Sequence, residues 1–314
     1  MILRGIDFGN ALGGSGVQGF FGEGYWFHKP LKLFGLDFDG MTLVAKTVTL
    51  MPRKGNMTLS PNYMPWNPFP GCIKANPLTS TVVNSVGLSN AGLIAHLATG
   101  RWQELEKPFF LSLMSLASTK EQRLEELAIM IAILKLHKHQ FTVPFGVQVN
   151  ISCPNQHNDP KEIIREVADI LEISRALDVP IMLKFSIASA PIEAIMELNN
   201  NPHCDAICVS NSVPYDWEGI GQRVWGKKVS PLKHLGGGGL SGKALRPLVC
   251  TYIQELRSRG FTKPITGGGG ILSPADVGHY HKAGASSVAL ASIAIVRPWR
   301  VAATINRANA LKWN

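Results

Sequence analysis

Short apolar runs alternate with amphipathic stretches along the whole chain. The apolar runs are nearly continuous, which is typical of parallel strands buried on both faces. The predicted strands cover residues 10–14, 43–47, 109–113, 145–151, 181–185, 206–210, 264–266 and 287–290. Eight strands with helices between most of them predict an α/β fold, a (β/α)8 TIM barrel that residues 1–314 form as one domain.

The amphipathic stretches predict helices over residues 119–137, from 160 onwards, and over 242–259, 274–283 and 298–311. The first is the clearest, because its apolar residues recur every three or four positions and form one face. That face consists of Leu124, Leu127, Ala128, Ile131 and Leu134. Ser118 and Glu121 have the spacing of a capping box at its start, and Pro160 suits the first turn of the next helix.

One segment interrupts the alternation. Residues 51–77 contain six prolines and the aromatic residues Tyr63, Trp66 and Phe69. A loop of this length in a compact barrel is usually a lid or an interaction surface, although it can also be an excursion packed over the barrel end. Because it follows the second strand, we expect it near the carboxyl ends of the strands.

Composition indicates a globular enzyme, with 45% hydrophobic and 17% charged residues. The net charge of +9 favours anionic ligands, but Lys and Arg are scattered without the dense runs of a nucleic-acid-binding arm. The five cysteines have irregular spacing, which disfavours zinc, an iron–sulfur cluster and a disulfide framework. No apolar signal region or membrane-spanning run is present, so we expect a cytoplasmic protein. Because the cysteine spacing fits no metal site, we also expect no bound metal.

The segment from Val149 to Asn155 carries the most chemistry. It places the amides of Asn150 and Asn155 and the thiol of Cys153 where an apolar strand ends. In parallel α/β barrels this edge holds ligands and catalytic groups. Amides can hold a polar, planar substrate, and a thiol can take a proton. Taken alone, the segment could equally be a turn with a small buried thiol.

Two lysines also follow apolar strands, Lys46 and Lys184. One such lysine is usually a surface residue at the start of a loop. Two on the edge that carries Asn150 and Cys153 favour a role in stabilising an anionic ring or substrate. Further amides at Asn84 and Asn211 would complete an amide-lined pocket, although each could be a turn or helix cap.

Glycine-rich runs at 236–242 and 267–271 each precede a predicted helix. Glycine lets backbone N–H groups close on a phosphate, and barrels commonly bind phosphate at the loops after their seventh and eighth strands. One such run is a weak signal. Two at the same barrel end predict a site for a mononucleotide cofactor or a phosphorylated substrate.

With these motifs in this order, the chain resembles the dihydroorotate dehydrogenase family of flavoprotein barrels. The resemblance covers nearly the whole chain. It rests on the ordered set Gly14-Ser15-Gly16, Ala45-Lys46-Thr47, Asn84-Ser85-Val86-Gly87-Leu88, Asn150-Ile151-Ser152-Cys153-Pro154-Asn155, Lys184, Asn211-Ser212, Gly238-Gly239-Leu240-Ser241-Gly242, Gly269-Gly270-Ile271 and Ala291-Ser292.

The resemblance implies bound FMN and the oxidation of dihydroorotate to orotate in pyrimidine biosynthesis. The implied FMN residues are Ser15, Lys46, Thr47, Asn150, Lys184, Ser210, Gly238, Gly239, Gly268, Gly269, Gly270, Ala291 and Ser292. The implied substrate residues are Lys46, Asn84, Val86, Gly87, Leu88, Asn150, Asn155, Asn211 and Ser212. Cys153 matches the catalytic base, with Lys46 and Lys184 as the other catalytic groups.

In the implied mechanism, Cys153 takes a proton from carbon 5 of dihydroorotate while carbon 6 delivers hydride to flavin nitrogen 5. Lys184 would stabilise negative charge on the reduced flavin. A cysteine base is typical of the soluble class of the family, and we expect a homodimer. Its electron acceptor would be fumarate, or NAD through an electron-transfer partner subunit.

The chain departs from the family pattern in three places. Gln156-His157-Asn158-Asp159-Pro160 replaces a glycine-containing loop, residues 51–77 form a longer segment, and the first strand lacks the usual asparagine before Gly14. Three other functions remain open. They are reduction of a pyrimidine, reduction of dihydrouridine in tRNA, against which we expect no RNA-binding domain after the barrel, and a non-catalytic flavin-binding subunit.

Overall fold

The computed structural model describes residues 1–151 and 160–313. Its strands are β1 Ile2–Leu3, β2 Ile6–Asp7, β3 Ala11–Gly13, β4 Ile73–Asn76, β5 Thr81–Asn84, β6 Phe109–Leu113, β7 Phe145–Asn150, β8 Ile181–Phe185, β9 Ala206–Val209, β10 Val213–Pro214, β11 Gly239–Gly242, β12 Ile265–Gly268 and β13 Ser287–Leu290. Its α-helices are α1 His28–Lys32, α2 Leu93–Leu97, α3 Lys120–His137, α4 Pro160–Ser174, α5 Ile192–Glu197, α6 Ile220–Trp225, α7 Leu245–Ser258, α8 Pro274–Lys282, α9 Ile293–Val296 and α10 Val301–Ala310.

Within the described ranges, seven parallel strands form one sheet in the order β3-β13-β12-β9-β8-β7-β6. Residues 42–48 lie between its two edges, with parallel bridges from Thr42 to Leu12 and from Val44 to Phe110. This segment therefore closes the sheet into the predicted barrel. Seven of the predicted strands are confirmed to within two residues at each end. The remaining one, at 43–47, is an irregular extended segment held by isolated bridges. It is irregular because the Lys46 N–H donates to Gly19 O at 2.9 Å and not to a neighbouring strand of the barrel.

Side chains fill the barrel. Leu12, Phe110, Met182 and Cys208 belong to an inner cluster that is buried from solvent. The β1–β2 hairpin lies against the same cluster through Leu3 and so closes the amino-terminal end. We therefore expect the active site at the opposite end, where the strands have their carboxyl ends, as in other barrels of this kind.

The larger cluster lies between the barrel wall and the surrounding helices. In α3 the buried residues Leu127, Met130, Ile131 and Leu134 recur every three or four positions and confirm the predicted apolar face. The predicted capping box is wrong by one residue. Thr119 is the N-cap and its hydroxyl accepts from the Gln122 N–H at 3.3 Å.

A second, four-stranded antiparallel sheet in the order β10-β11-β5-β4 was not predicted. The second half of the glycine run at 236–242 is therefore strand β11, which follows the sixth barrel strand, and the run is not the end of a barrel strand. The proline-rich segment 51–77 likewise contributes β4. These strands escape sequence analysis because they are short, and because β11 pairs with a strand far along the chain, as Gly239 does with Asn84.

Candidate active site

Asn150 and Lys184 face each other across neighbouring strands at the carboxyl end of the barrel. They are register partners of β7 and β8, and Lys184 is also the partner of Cys208 in β9. Asn211 follows β9, with its N–H donating to Phe185 O at 3.2 Å. The Nδ2 group of Asn211 donates to Asn150 Oδ1 at 2.8 Å. The barrel thus brings together three of the predicted site residues.

Lys184 is buried, with 7% of its surface exposed. Burial lowers the pKa of its ammonium group, whereas the nearby Cys208 thiolate would raise it. Burial also raises the pKa of Cys208, so that thiol is neutral near neutral pH and supplies no negative charge to Lys184. A buried ammonium group attracts negative charge that develops beside it.

Lys46 lies at the same end of the barrel, in the irregular segment 42–48. Its Nζ donates to Ser89 O, and its side chain is buried. Burial lowers the pKa of Lys46 to about 7, against a smaller opposing effect of Cys72. The charge of Lys46 therefore changes within the physiological pH range.

Three hydroxyl groups form a chain below Lys46. Ser15 Oγ donates to Ala45 O at 2.9 Å and lies 2.9 Å from Thr47 Oγ1, which lies 2.9 Å from Ser112 Oγ. Thr47 and Ser112 are buried. These hydrogen bonds hold Ser15 and Thr47, both predicted cofactor residues, against each other and against Ser112 of β6. Ser112 was not predicted, because a serine inside an apolar strand gives no distinct signal.

The predicted substrate loop, Val86 to Leu88, has an unusual backbone. Gly87 and Leu88 have φ values of +68° and +57°, the left-handed region that residues other than glycine rarely occupy. The loop is held by Arg53, whose Nε donates to Gly87 O at 2.8 Å. Gly55 packs so closely that a Cβ there would lie 2.6 Å from Val86 O. Sequence analysis missed both residues, although it placed segment 51–77 near this edge.

The small antiparallel sheet places Asn84, Ser212 and Gly239 together. Asn84 pairs with Gly239 across β5 and β11, and its Nδ2 group donates to Gly239 O at 3.5 Å. Ser212 lies against Gly239, where an added Cβ would be 2.8 Å from Ser212 Cβ and closer still to its Oγ. Ser186 Oγ donates to Ser212 O at 3.0 Å and ties this group to the end of β8.

Glycines line a cradle where β12 ends. A Cβ at Gly268 would lie 2.6 Å from Ser210 Cβ, and one at Gly270 would lie 2.6 Å from Gly242 O. Gly269 has φ +121°, and its carbonyl accepts from Tyr280 Oη at 2.5 Å. Side chains are thus excluded at the seventh strand end, where barrels commonly bind phosphate.

The eighth strand end completes this cradle. Ala291 and Ser292 follow β13, and a Cβ at Gly14 would lie 2.7 Å from Ala291 Cβ. Gly14 N donates to Leu290 O at 2.7 Å. The ends of the first and eighth barrel strands therefore approach each other too closely for a side chain at Gly14. Such a backbone cradle suits the phosphate of a mononucleotide such as FMN.

Cys153 and Asn155 lie outside the described residues. The chain reaches them from Ile151, whose N–H donates to Lys184 O at 3.0 Å, and leaves them for α4. Helix α4 is fixed to α3 by a bidentate ion pair, in which Arg123 donates to Glu166 at 2.7 and 2.9 Å. Sequence analysis did not identify this pair, because its two residues belong to different helices.

The described part of the chain shows no group of three or more His, Cys, Asp or Glu side chains placed to hold a metal ion. Among the same residues, no helix combines the length and apolar character needed to cross a membrane.

Comparisons with known proteins agree with the resemblance. A family model described as dihydroorotate dehydrogenase matches residues 2–308. Two similar proteins are both named dihydroorotate dehydrogenase B (NAD(+)), catalytic subunit. The one from Endomicrobium trichonymphae is 29% identical over 304 residues, 92% of this chain and 85% of the relative. The one from Anoxybacillus flavithermus is 28% identical over 291 residues, 90% of this chain and 81% of the relative.

Solved structures support the fold. A crystal structure of DHODH from Eimeria tenella in complex with ferulenol has a TM-score of 0.67 and 17% sequence identity. The match covers 97% of this chain and 82% of that one. A ligand-free form from the same organism has a TM-score of 0.59 and 18% identity, over 85% and 76% of the two chains.

Proposed function

The chain belongs to the dihydroorotate dehydrogenase family, and we propose that it oxidises dihydroorotate to orotate in pyrimidine biosynthesis, with Cys153 as the base and FMN as the hydride acceptor. It is an oxidoreductase of that family. The observation that carries the residue-level proposal is the convergence of Lys46, Lys184, Asn150 and Asn211 at one end of the barrel.

The cradle supports FMN as the cofactor. At Gly268 and Gly270 an added Cβ would strike neighbouring protein atoms, so this strand end, with Ala291 and Ser292 at the end of the neighbouring strand, presents backbone groups in place of side chains, as phosphate binding requires. The hydroxyl chain through Ser15 and Thr47 and the ammonium group of Lys184 would border the flavin ring. When bound, FMN supplies the acceptor for hydride from carbon 6 of the substrate.

The substrate is proposed to lie between the amides and Lys46. Dihydroorotate carries a carboxylate and an imide, so it offers one anionic group and a row of donors and acceptors. Lys46 would pair with the anion, and Asn84, Asn150 and Asn211 would bind the imide through their paired amide groups. Asn155, Ser212 and the loop from Val86 to Leu88 would complete the pocket.

Cys153 is proposed to take the proton from carbon 5. A free thiol has a pKa of about 8.5, so it needs a nearby cation to act as a base at neutral pH. Lys46 and Lys184 are the cations that the barrel places at this edge. The buried ammonium group of Lys184 would stabilise the negative charge that accumulates on the cofactor side.

A partner subunit is proposed to take the electrons onwards. The two relatives are named as catalytic subunits of an enzyme that uses NAD(+), which supports an electron-transfer subunit for this chain too. A homodimer and a cytoplasmic location stay predictions. Reoxidation of the reduced protein tests the acceptor: fumarate should restore the yellow colour slowly, and NAD should require added partner subunit. Rapid reoxidation by fumarate alone would reject the partner.

Flavin content and bleaching test the main proposal. The purified protein should carry about one FMN per chain, and anaerobic dihydroorotate should bleach its absorbance near 450 nm and yield orotate. Matched trials should use dihydrouracil and a dihydrouridine-containing tRNA. Bleaching by either of these and not by dihydroorotate would replace the proposed substrate. A colourless protein that gains no colour with FMN would reject the flavin mechanism altogether.

A further inference from the structure

The ammonium group of Lys46 lies against an aromatic ring. Its Nζ is 4.9 Å from the centroid of the Phe20 ring, within the range of a cation–π interaction. Its other polar contact among the described residues is the Ser89 carbonyl. No ion pair of the described residues includes Lys46. The lysine is thus held by a ring face and a carbonyl.

Phe20 is itself fixed on several sides. Its ring stacks on His96, with centroids 4.2 Å apart and planes inclined by 25°, and meets Tyr63 edge-on at 6.1 Å. Its carbonyl accepts from Trp102 Nε1 at 2.7 Å. Phe20 is 1% exposed and Trp102 is fully buried. The ring therefore has little freedom to leave Lys46.

Among the described residues, the titratable groups that interact electrostatically with Lys46 are His96 and Cys72, and both are neutral near pH 7. Burial lowers the pKa of His96 to about 3, so its imidazole carries no charge. Burial raises the pKa of the Cys72 thiol, and it also raises the pKa of Tyr25, which faces Cys72. Glu23, whose pKa burial also raises, acts on Tyr25 and not on Lys46. His96, Cys72 and Tyr25 therefore supply Lys46 with no counter-charge at neutral pH.

We propose that Phe20 is a positioning residue for Lys46, whose ring face keeps the ammonium group charged and directed into the substrate mouth. The proposal rests on the proposed function for its catalytic consequence, but the contact between Phe20 and Lys46 can be tested without it. A π face favours the charged form of an amine without adding a negative charge. A carboxylate in this position would instead repel the anionic substrate.

The test is a pair of matched substitutions. Phe20→Leu removes the ring face beside Lys46. Phe21→Leu is the control, because Phe21 is 6% exposed in the same aromatic cluster but its ring lies 4.0 Å from the Arg101 guanidinium and not against Lys46. The Lys46 pKa is measured in the flavin-loaded protein by titrating the ¹³Cε signal of labelled lysine. Lys46→Met assigns the signal.

Phe20→Leu should lower the Lys46 pKa by ~0.5–1 unit, which lies within the range of free energies that cation–π contacts contribute. Starting from about 7, that shift should weaken orotate binding roughly three- to ninefold at pH 8 and leave it nearly unchanged at pH 5.5. A purely structural disturbance would weaken binding at every pH. Phe21→Leu should leave the Lys46 pKa in place.

Fluorination provides a variant with almost the same shape. Replacing Phe20 with 3,4,5-trifluorophenylalanine weakens the negative ring face and should lower the Lys46 pKa even if Phe20→Leu fails to fold. An unchanged pKa in the fluorinated protein, or an equal shift in Phe21→Leu, would overturn the proposal. If dihydroorotate fails to bleach the wild-type flavin while the pKa shift appears, the proposed function falls and the positioning role of Phe20 stands.

Discussion

The side-chain amide of Asn211 donates to Asn150 Oδ1 across 2.8 Å, above the strand that carries Lys184 between them. This bond joins the ends of the fourth and sixth barrel strands. It also sets which way the Asn150 amide points, because the oxygen faces Asn211. An amide whose orientation is fixed before the ligand arrives binds with less loss of side-chain entropy.

Asn211→Ala should therefore weaken orotate binding by at least about fivefold, since a neutral hydrogen bond contributes about 1 kcal/mol. Orotate affinity is measured from the change that it causes in the flavin spectrum. Asn306→Ala, at an exposed position of α10, is the control and should bind orotate as the wild type does. Equal affinities in all three proteins would remove Asn211 from the pocket.

Cys153→Ala should slow anaerobic bleaching of the flavin by dihydroorotate by about 10²- to 10⁴-fold, the usual loss when a general base is removed. The flavin content should not change, because the cradle lies on other strand ends. Cys250→Ala, in the outer helix α7, serves as the control. The rate is measured by stopped-flow absorbance. A Cys153→Ala protein that bleaches at the wild-type rate would show that another group takes the proton.

The barrel could be predicted because its strands carry their own signal. Strands such as Phe109–Leu113 and Ile181–Phe185 are apolar throughout and buried on both faces, so their bounds follow from local composition. Strand β11 gives no such signal, because three of its four residues are glycine or serine and one of its two partners, β5, lies more than 150 positions away. Pairing of that kind depends on tertiary contacts and not on a local pattern.

The same division holds for the site. Lys46, Lys184 and Asn150 could be predicted because each ends an apolar run, and parallel strands end on one edge. Arg53 and Phe20 could not, because each lies in an irregular loop and acts on a residue of another segment. Their roles become visible only once the loops are folded against each other.

Gly239→Ala should damage both ligand sites. A Cβ at Gly239 would lie 2.8 Å from Ser212 Cβ and would also strike the Ser212 hydroxyl, so the β10–β11 pairing must open. We expect lower flavin content and a clear drop in melting temperature. The matched control is Gly278→Ala in α8, where an added Cβ meets nothing within 4 Å and the helix should gain slight stability. If both variants melt and bind flavin alike, the close approach at Gly239 does not exist.

Lys46 should also give the protein a distinct dependence of stability on pH. Its folded pKa of about 7 lies below the ordinary lysine value of 10.5. Between those two values the unfolded chain binds more protons than the folded one, so the free energy of unfolding rises with pH. Below pH 7 both states hold the proton, and the cost of burying the charge is present in full. In Lys46→Met this contribution is absent.

The measurement is urea unfolding of flavin-free protein at pH 7 and pH 9, compared between wild type and Lys46→Met. The wild type should gain stability relative to the variant over this interval, by at most about 1.4 kcal/mol per pH unit. Lys135→Met, an exposed lysine of α3, controls for the loss of one positive charge and should follow the wild type. A stability difference between wild type and Lys46→Met that stays constant from pH 7 to pH 9 would mean that Lys46 keeps its proton throughout, and that burial does not lower its pKa.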